Sequence, residues 1–265
     1  MTTSKNIANE KPLVSVVIPT YKRPERVERA VNSVLSQTYE NIEVVVVSGS
    51  NEQILEKLDN LDRVNVIVQE TNEGVSKARN EGIKASNGEY IAFLDDDDRW
   101  PKNKLRKQID NFDKLDEDYG LVYGDIEIFR DGESIEKRKR NGRRFLSRKR
   151  EGYLYDELLK GNMIPTSTVM VKKECFDAVG VFDTGFNFLE DLDMWLRISK
   201  EYRCSKMSGI YAKYHLGAEK RLSEDVQNKL KAYQKFYRKY QSDLEQNVGA
   251  YISIKTNIIT YSAEN

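Results

Sequence analysis

Four consecutive aspartates, Asp95 to Asp98, follow the short apolar run from Tyr90 to Leu94 and precede Trp100 and Pro101. Adjacent carboxylates repel one another and add nothing to a core, so at the end of a buried strand they call for a cation. Hard oxygen ligands suit Mg²⁺ or Mn²⁺. Mg²⁺ usually takes one or two protein carboxylates, with waters and substrate phosphates completing its shell. On an extended backbone Asp95 and Asp97 point to one side and Asp96 and Asp98 to the other. One pair would then face a metal–diphosphate, while the other caps the helix expected from Pro101. The plainer alternative is an acidic loop with a helix cap.

Other chemistries lack their parts. A dehalogenase-type phosphatase loop continues D-x-D with Thr or Val, whereas Arg99 follows Asp98. No G-x-G-x-x-G opens the first helix and no G-x-x-x-x-G-K-[ST] occurs, so the phosphate cradles of dinucleotide and P-loop proteins are missing. One histidine, His215, excludes multi-histidine metal centres and argues against a Ser-His-Asp triad. Cys175 and Cys204 form neither a disulfide framework nor a zinc spacing.

The elements that must carry the aspartates are legible in the hydrophobic pattern. Among 265 residues, 39% are hydrophobic and 32% charged, the balance of a water-soluble globular chain. Lys+Arg and Asp+Glu are equal at 43 each, and no nucleic-acid partner is expected. No apolar run approaches the ~20 residues of a membrane span, and the N-terminus has no apolar signal core. The expected location is cytoplasmic, with a possible visit to the membrane surface. Leu13 to Ile18, Ile42 to Val47, Val64 to Val68 and Tyr90 to Leu94 are continuous apolar runs, as strands buried on both faces should be. Helices are expected from Pro24, with Val27, Ala30, Val31, Val34 and Leu35 at helical spacing, from Gly74 to Ser86, and from Pro101. Alternation of this kind predicts an α/β, Rossmann-like, mostly parallel sheet with helices on both faces. Ligands of such sheets bind beyond the carboxyl ends of the strands, where the aspartates fall.

The second half is less regular. "YGLVYGDIEIF" predicts one strand or two, "LEDLDMWLRISKEY" a helix with Leu189, Leu192 and Leu196 on one side, and the Lys- and Tyr-rich chain from about Ser223 a helical appendage. The expected organisation is a flexible tail over residues 1–11, a catalytic domain over 12–216 and a C-terminal helical extension over 217–265.

Three segments together resemble a family 2 glycosyltransferase of the GT-A fold: "VSVVIPTYKRPERVERAVNSVLSQTYENIEVVVV", "NEGVSKARNEGIKASNGEYIAFLDDDDRW" and "VGVFDTGFNFLEDLDMWLRI". The resemblance runs from about Leu13 to about His215. It implies a nucleotide-sugar donor, a UDP-sugar first of all, a divalent metal, a saccharide or lipid-linked acceptor, and inversion in a single displacement. By the same resemblance, Pro19, Thr20 and Tyr21 match the first nucleotide-contacting turn, and Arg79 a residue that approaches the nucleotide. Asp95, Asp96 and Asp97 match the D-x-D element, with Asp97 as the direct metal ligand and Asp95 or Asp96 nearer the ribose. Glu190 and Asp191 match an acidic pair whose aspartate is the catalytic base; the plainer alternative is that both merely cap their helix. His215 falls where many such enzymes bring a residue to the metal or diphosphate. As a lone histidine after a strand it is equally read as a packed residue.

One position departs from the family pattern. Two acidic residues commonly follow the second strand, the second reading the pyrimidine ring. Val47 and Ser48 stand there. Serine can accept from a ring N–H but carries no charge, so weak discrimination among bases is expected. The basic stretch from Lys137 to Arg150 holds nine Lys/Arg. It reads as a solvated loop tip, as a contact with an anionic membrane, or as a steering patch for a phosphorylated acceptor. Two other functions compete: a nucleotidyltransferase, which would not need the acidic helix start, and a catalytically silent nucleotide-binding module, favoured only by Val47-Ser48.

Overall fold

In the computed structural model the described residues are 11–49, 53–58, 60–130, 133–136, 150–215 and 225–264. The tail over residues 1–10 and the basic stretch from Lys137 to Lys149 lie outside them, as do residues 216–224.

Strands β1 (Val14–Thr20), β2 (Ile42–Gly49), β3 (Val64–Gln69) and β4 (Tyr90–Phe93) pair in parallel in the order β3-β2-β1-β4. The sheet continues antiparallel through β7 (Met170–Lys172) to β5 (Tyr119–Arg130), which pairs with β6 (Glu133–Glu136) and, in parallel, with β8 (Arg203–His215). The stretch expected to give one strand or two is the single strand β5.

Alternation along the central strands supplies both faces with core. Val14, Val16 and Ile18 of β1, with Ala92 just inside β4 and Leu94 just past it, pack with Val27, Ala30, Val31 and Val34 of α1 (Pro24–Leu35) and Leu105 and Ile109 of α4 (Lys104–Phe112). Val17, Ile91 and Phe93 turn the other way, into a core with Ile83 of α3 (Val75–Ala85) and Leu192, Trp195 and Leu196 of α7 (Glu190–Glu201). Phe93 meets Phe182 edge-on at 5.5 Å and Trp195 at 6.1 Å, fixing α7 against the sheet. Trp100 and Trp195 are both buried packing residues.

α3 begins after Gly74, whose φ of 91° lies in the region that suits glycine. A Cβ on Gly82 would lie 2.3 Å from Val17 Cγ1, so α3 sits closer to β1 than any side chain at this position would permit.

The expected helix from Pro101 starts three residues later, at Lys104, and its N-cap Asn103 makes no side-chain cap bond. None of the aspartates caps it. α4 is instead tied at its start by Gln37, whose Oε1 accepts from the Leu105 N–H at 3.1 Å.

The C-terminal helices α8 (Val226–Lys239), α9 (Gln241–Gln246) and α10 (Val248–Ala263) share one core with α7 through Ala232, Phe236, Leu244, Ala250 and Ile254. Tyr240 and Lys239 both donate to the fully buried Asp193 of α7, at 2.7 and 2.6 Å, and Arg197 Nε donates to its other oxygen at 3.1 Å.

Gly82→Ala should destabilise the protein by about 1–3 kcal/mol, because the added methyl must displace Val17 or lift α3. Chemical denaturation measures this, and Val17→Ala in the same chain should recover part of the loss.

Candidate active site

The strand order reverses between β1 and β4, and there the carboxyl ends open a crevice. Thr20, the last residue of β1, donates from Oγ1 to Asp96 Oδ2 at 2.7 Å, closing the floor of that crevice. Ser48 is the register partner of Thr20 on β2. Its hydroxyl is fully buried and has no hydrogen-bond partner among the described residues. Tyr21 is 39% exposed and lies against Gly49, where a Cβ would meet Tyr21 Cδ2 at 3.0 Å and Asn72 at 3.1 Å. Gly49 thus admits an aromatic ring and Asn72 to the same wall.

The aspartate run is a turn rather than an extended stretch. The Asp98 N–H donates to the Asp95 carbonyl at 3.0 Å, so the expected alternation of two facing pairs does not hold. Each carboxylate meets its own surroundings. Asp98 is buried; its Oδ2 accepts from Ser167 Oγ at 2.6 Å and its Oδ1 from the His215 N–H at 3.3 Å. Burial, with Asp97 and Asp95 close by, pushes its pKa well above the usual carboxylate range. Asp96 accepts from Thr20 and from Arg23 Nη1 at 3.2 Å. Burial pushes it up to about 6 against both partners. Asp95 Oδ1 accepts from Arg79 Nη2 at 2.9 Å while its side chain stays 35% exposed. Asp97 Oδ2 lies 4.0 Å from Arg26 Nη1. The turn is pinned from below by Ser167, which also accepts from the Asp95 N–H at 3.2 Å and whose carbonyl accepts from Trp100 Nε1 at 2.6 Å.

Arg79 joins this turn to the second acidic pair. Its Nη1 donates to Glu190 Oε1 at 2.9 Å, and its side chain is only 4% exposed. Burial disfavours its charge, but Asp95, Glu190 and Asp191 outweigh that and hold the guanidinium more firmly protonated. Phe182 lies 5.4 Å from the guanidinium carbon. Arg79 therefore reaches the crevice through the carboxylates it holds. Glu190 is driven up by burial and by Asp191 next to it, with Arg79 opposing.

Leu189 has φ 69° and ψ 13°, a left-handed conformation rare for a side chain of this size. It sits immediately before Glu190 and Asp191, and its burial against the core holds the strained turn that aims them. Asp191 Oδ2 accepts from Asn162 Nδ2 at 2.7 Å and from Thr166 Oγ1 at 3.2 Å. From the C-terminal helices, Tyr233 packs on Phe188 at 6.1 Å, and both burial and the charge of Asp191 raise its phenol.

His215, at the end of β8, holds Asp98 by its backbone and packs its ring at a tilt against Phe129 at 5.1 Å. Burial, and then Arg26, lower its pKa, while Asp97 acts in the opposite direction. This favours the neutral imidazole, the form that can ligate a metal.

Thr20, Asp95, Asp96, Asp97 and His215 are thus gathered about the β1–β4 crevice, and Arg79 joins Glu190 and Asp191 to them. Tyr21 is exposed on the β2 side of the crevice, whereas Pro19 and Ser48 are buried. Arg23, Asn162, Thr166 and Ser167 were not foreseen. "NMIPTST" carries small polar residues around a proline, a signal of a shaped turn with no mark of what it would touch.

An open α/β sheet with an acidic turn at its switch point and a carboxylate pair on an adjoining helix start is the architecture of GT-A glycosyltransferases. Two solved structures share the fold: the Pyrobaculum calidifontis mannosyltransferase PcManGT in complex with GDP-Man and Mn²⁺ (TM-score 0.66, 17% identity, 96% of this chain and 74% of that one), and S. aureus TarS 1-349 in complex with UDP-GlcNAc (TM-score 0.62, 21% identity, 85% and 66%). The family model described as glycosyl transferase family 2 matches residues 15–179. The chain belongs to glycosyl transferase family 2. It is 31% identical over 216 residues (79% of this chain, 81% of the relative) to Bacillus subtilis TuaG, which carries a provisional name as a teichuronic acid biosynthesis glycosyltransferase. It is 31% identical over 211 residues (77% of each) to the Escherichia coli UDP-Glc:α-D-GlcNAc-diphosphoundecaprenol β-1,3-glucosyltransferase WfgD. It spans 61% of a Rickettsia typhi relative.

Because Asp96 is protonated more readily in the folded chain than in the unfolded one, the native state binds the extra proton between about pH 4 and 6. The contribution of Asp96 to stability therefore falls as pH rises through that window. Asp96→Asn should remove this slope, on the order of 3 kcal/mol between its ends, and the measurement is the pH dependence of ΔG of unfolding in mutant and wild type without added metal. Parallel curves would contradict the assignment.

Proposed function

We propose that this family 2 enzyme is an inverting, metal-dependent glycosyltransferase that moves a hexosyl group from a nucleoside diphosphate sugar to a hydroxyl of a lipid-linked saccharide. The observation that carries the reading is the Arg79 bridge, which sets the aspartate turn and the Glu190–Asp191 helix start on the two sides of one crevice.

The donor's nucleoside would lie along Pro19, Thr20, Tyr21 and Ser48, with Asp95 and Asp96 toward the ribose. Ser48 is neutral and buried, so no charge reads the base from this position. Structural relatives with UDP-GlcNAc and with GDP-Man fit a crevice that does not select the base through a charge at this position.

Among the described residues no three His, Cys, Asp or Glu side chains are gathered tightly enough to hold an ion alone. The donor set fits an ion brought with the diphosphate: Asp97 and Asp95 supply hard oxygens, and His215 a neutral imidazole. When bound, Mn²⁺ or Mg²⁺ would stabilise the charge growing on the leaving diphosphate.

Asp191 takes the proton of the acceptor hydroxyl as that oxygen attacks the anomeric carbon and the bond to the diphosphate breaks. Asn162 and Thr166 donate to its Oδ2 and fix the orientation of the carboxylate. Glu190 acts through Arg79, as a positioning residue. A nucleotidyltransferase leaves the Asn162–Asp191 arrangement without a task. The E. coli relative's diphosphoundecaprenol acceptor supports a lipid-linked saccharide here.

Release of free nucleoside diphosphate from a panel of UDP-, GDP- and dTDP-sugars tests the reading. Asp191→Asn should keep donor binding and lower turnover roughly 10²-fold or more. Asp97→Ala should abolish Mn²⁺-dependent nucleotide binding, read by calorimetry, with the fold unchanged. Near-normal turnover in the first variant or unaltered Mn²⁺–UDP affinity in the second would overturn the respective role.

A further inference from the structure

No described helix is long and apolar enough to cross a membrane, yet α10 carries an uncharged outer face. Val248, Ile252 and Ile259 are 70%, 58% and 68% exposed and share that face with Thr256, Thr260 and Ala263. Only six large apolar side chains are exposed among the described residues, and three of them are these.

α8 runs antiparallel beside α10, with Tyr233 stacked on Tyr261 at 5.7 Å and Tyr237 meeting Tyr251 at 6.2 Å. Neither α8 nor α10 contains an acidic residue. α8 exposes Lys231 and Arg238, and α10 holds Lys255 on its flank, 3.9 Å from the Tyr237 ring. Between the caps Asp225 and Glu264 the two helices present an apolar strip flanked by cations, the pattern of helices that lie in the headgroup region of a bilayer.

We propose that the outer face of α8 and α10 docks this enzyme on an anionic phospholipid surface. A second copy of the chain fits the face less well. Two adjacent helices of 14 and 16 residues present on the order of 450 Å², short of the ~800 Å² a side of a stable complex. The docked hairpin also reaches the site: Tyr233 and Tyr261 pack together, and Tyr233 meets Phe188, three residues before Asp191. The lipid end of an acceptor would then lie in the surface that holds the enzyme. The inference rests on the proposed function only for this choice of a membrane as occupant.

The test is co-sedimentation of the full chain with phosphatidylglycerol–phosphatidylethanolamine vesicles, comparing wild type with Ile252→Glu/Ile259→Glu. Both positions are exposed and glutamate is a good helix former, so the variant should melt like wild type and release nucleoside diphosphate from soluble donor at the wild-type rate. Its vesicle partition should be weaker by roughly tenfold or more. At about 0.5 M salt, where charge attraction is screened, wild type should keep part of its binding and the variant none. A wild type that stays in the supernatant would overturn the inference, as would a variant that binds as well as wild type. A wild-type dimer in light scattering that the variant disperses would overturn it in favour of a second copy. Vesicle binding without any donor turnover would leave the docking face standing and defeat the proposed function instead.

Discussion

A single buried guanidinium governs the geometry of this protein. Arg79 lies between Asp95 and Glu190, at 2.9 Å from each, with almost no exposure to water. Removing one partner of a buried ion pair typically costs 3–5 kcal/mol, because the remaining charge is left without compensation. Both carboxylates are therefore held to Arg79, and through it to each other. Arg79 is carried by α3, whose depth against β1 is set by the missing side chain of Gly82. One close backbone contact thus places one cation, and that cation fixes the distance between the aspartate turn and the Glu190–Asp191 helix start.

With Asp95 committed to Arg79, the repulsion within the run is relieved by separation. Asp98 goes down to Ser167 and the backbone of His215, Asp96 sideways to Thr20 and Arg23, and Asp97 toward Arg26. The turn between Asp95 and Asp98 makes this division possible. Its consequence is chemical. Burial favours the proton on Asp96 and Asp98, while the side chains of Asp95 and Asp97 stay 35% and 16% exposed. At the other wall Leu189 spends conformational strain to direct Glu190 and Asp191, and the fully buried Asp193, held by Tyr240, Lys239 and Arg197, anchors the same helix from the C-terminal side.

The parallel half of the sheet was legible because its strands are buried on both faces and read as continuous β-branched runs. α1 and α3 announce themselves through Pro24, Gly74 and helical spacing. The position of the aspartates beyond a strand end follows from that frame. What local pattern does not carry is the long-range closure. The two facing pairs of aspartates held only for an extended backbone, yet the run turns and is tied to Ser167, 72 positions from Asp95. Asn162 and Thr166 meet Asp191 only because β7 is inserted antiparallel between β4 and β5. The aspartate cap expected for α4 is absent because those carboxylates have nearer donors. The pairing of β8 with β5, which delivers His215 to Asp98, is another contact between distant segments.

The central claim is that Asp95 and Glu190 act as one unit through Arg79, although they do not touch each other. The most direct measurement is a double-mutant cycle on kcat/KM with Asp95→Asn, Glu190→Gln and the double variant, using whichever nucleotide sugar the wild type hydrolyses. If Arg79 couples the two sides, the single effects should be non-additive by about 1 kcal/mol or more. Additivity within about 0.3 kcal/mol would show two independent carboxylates and contradict the account.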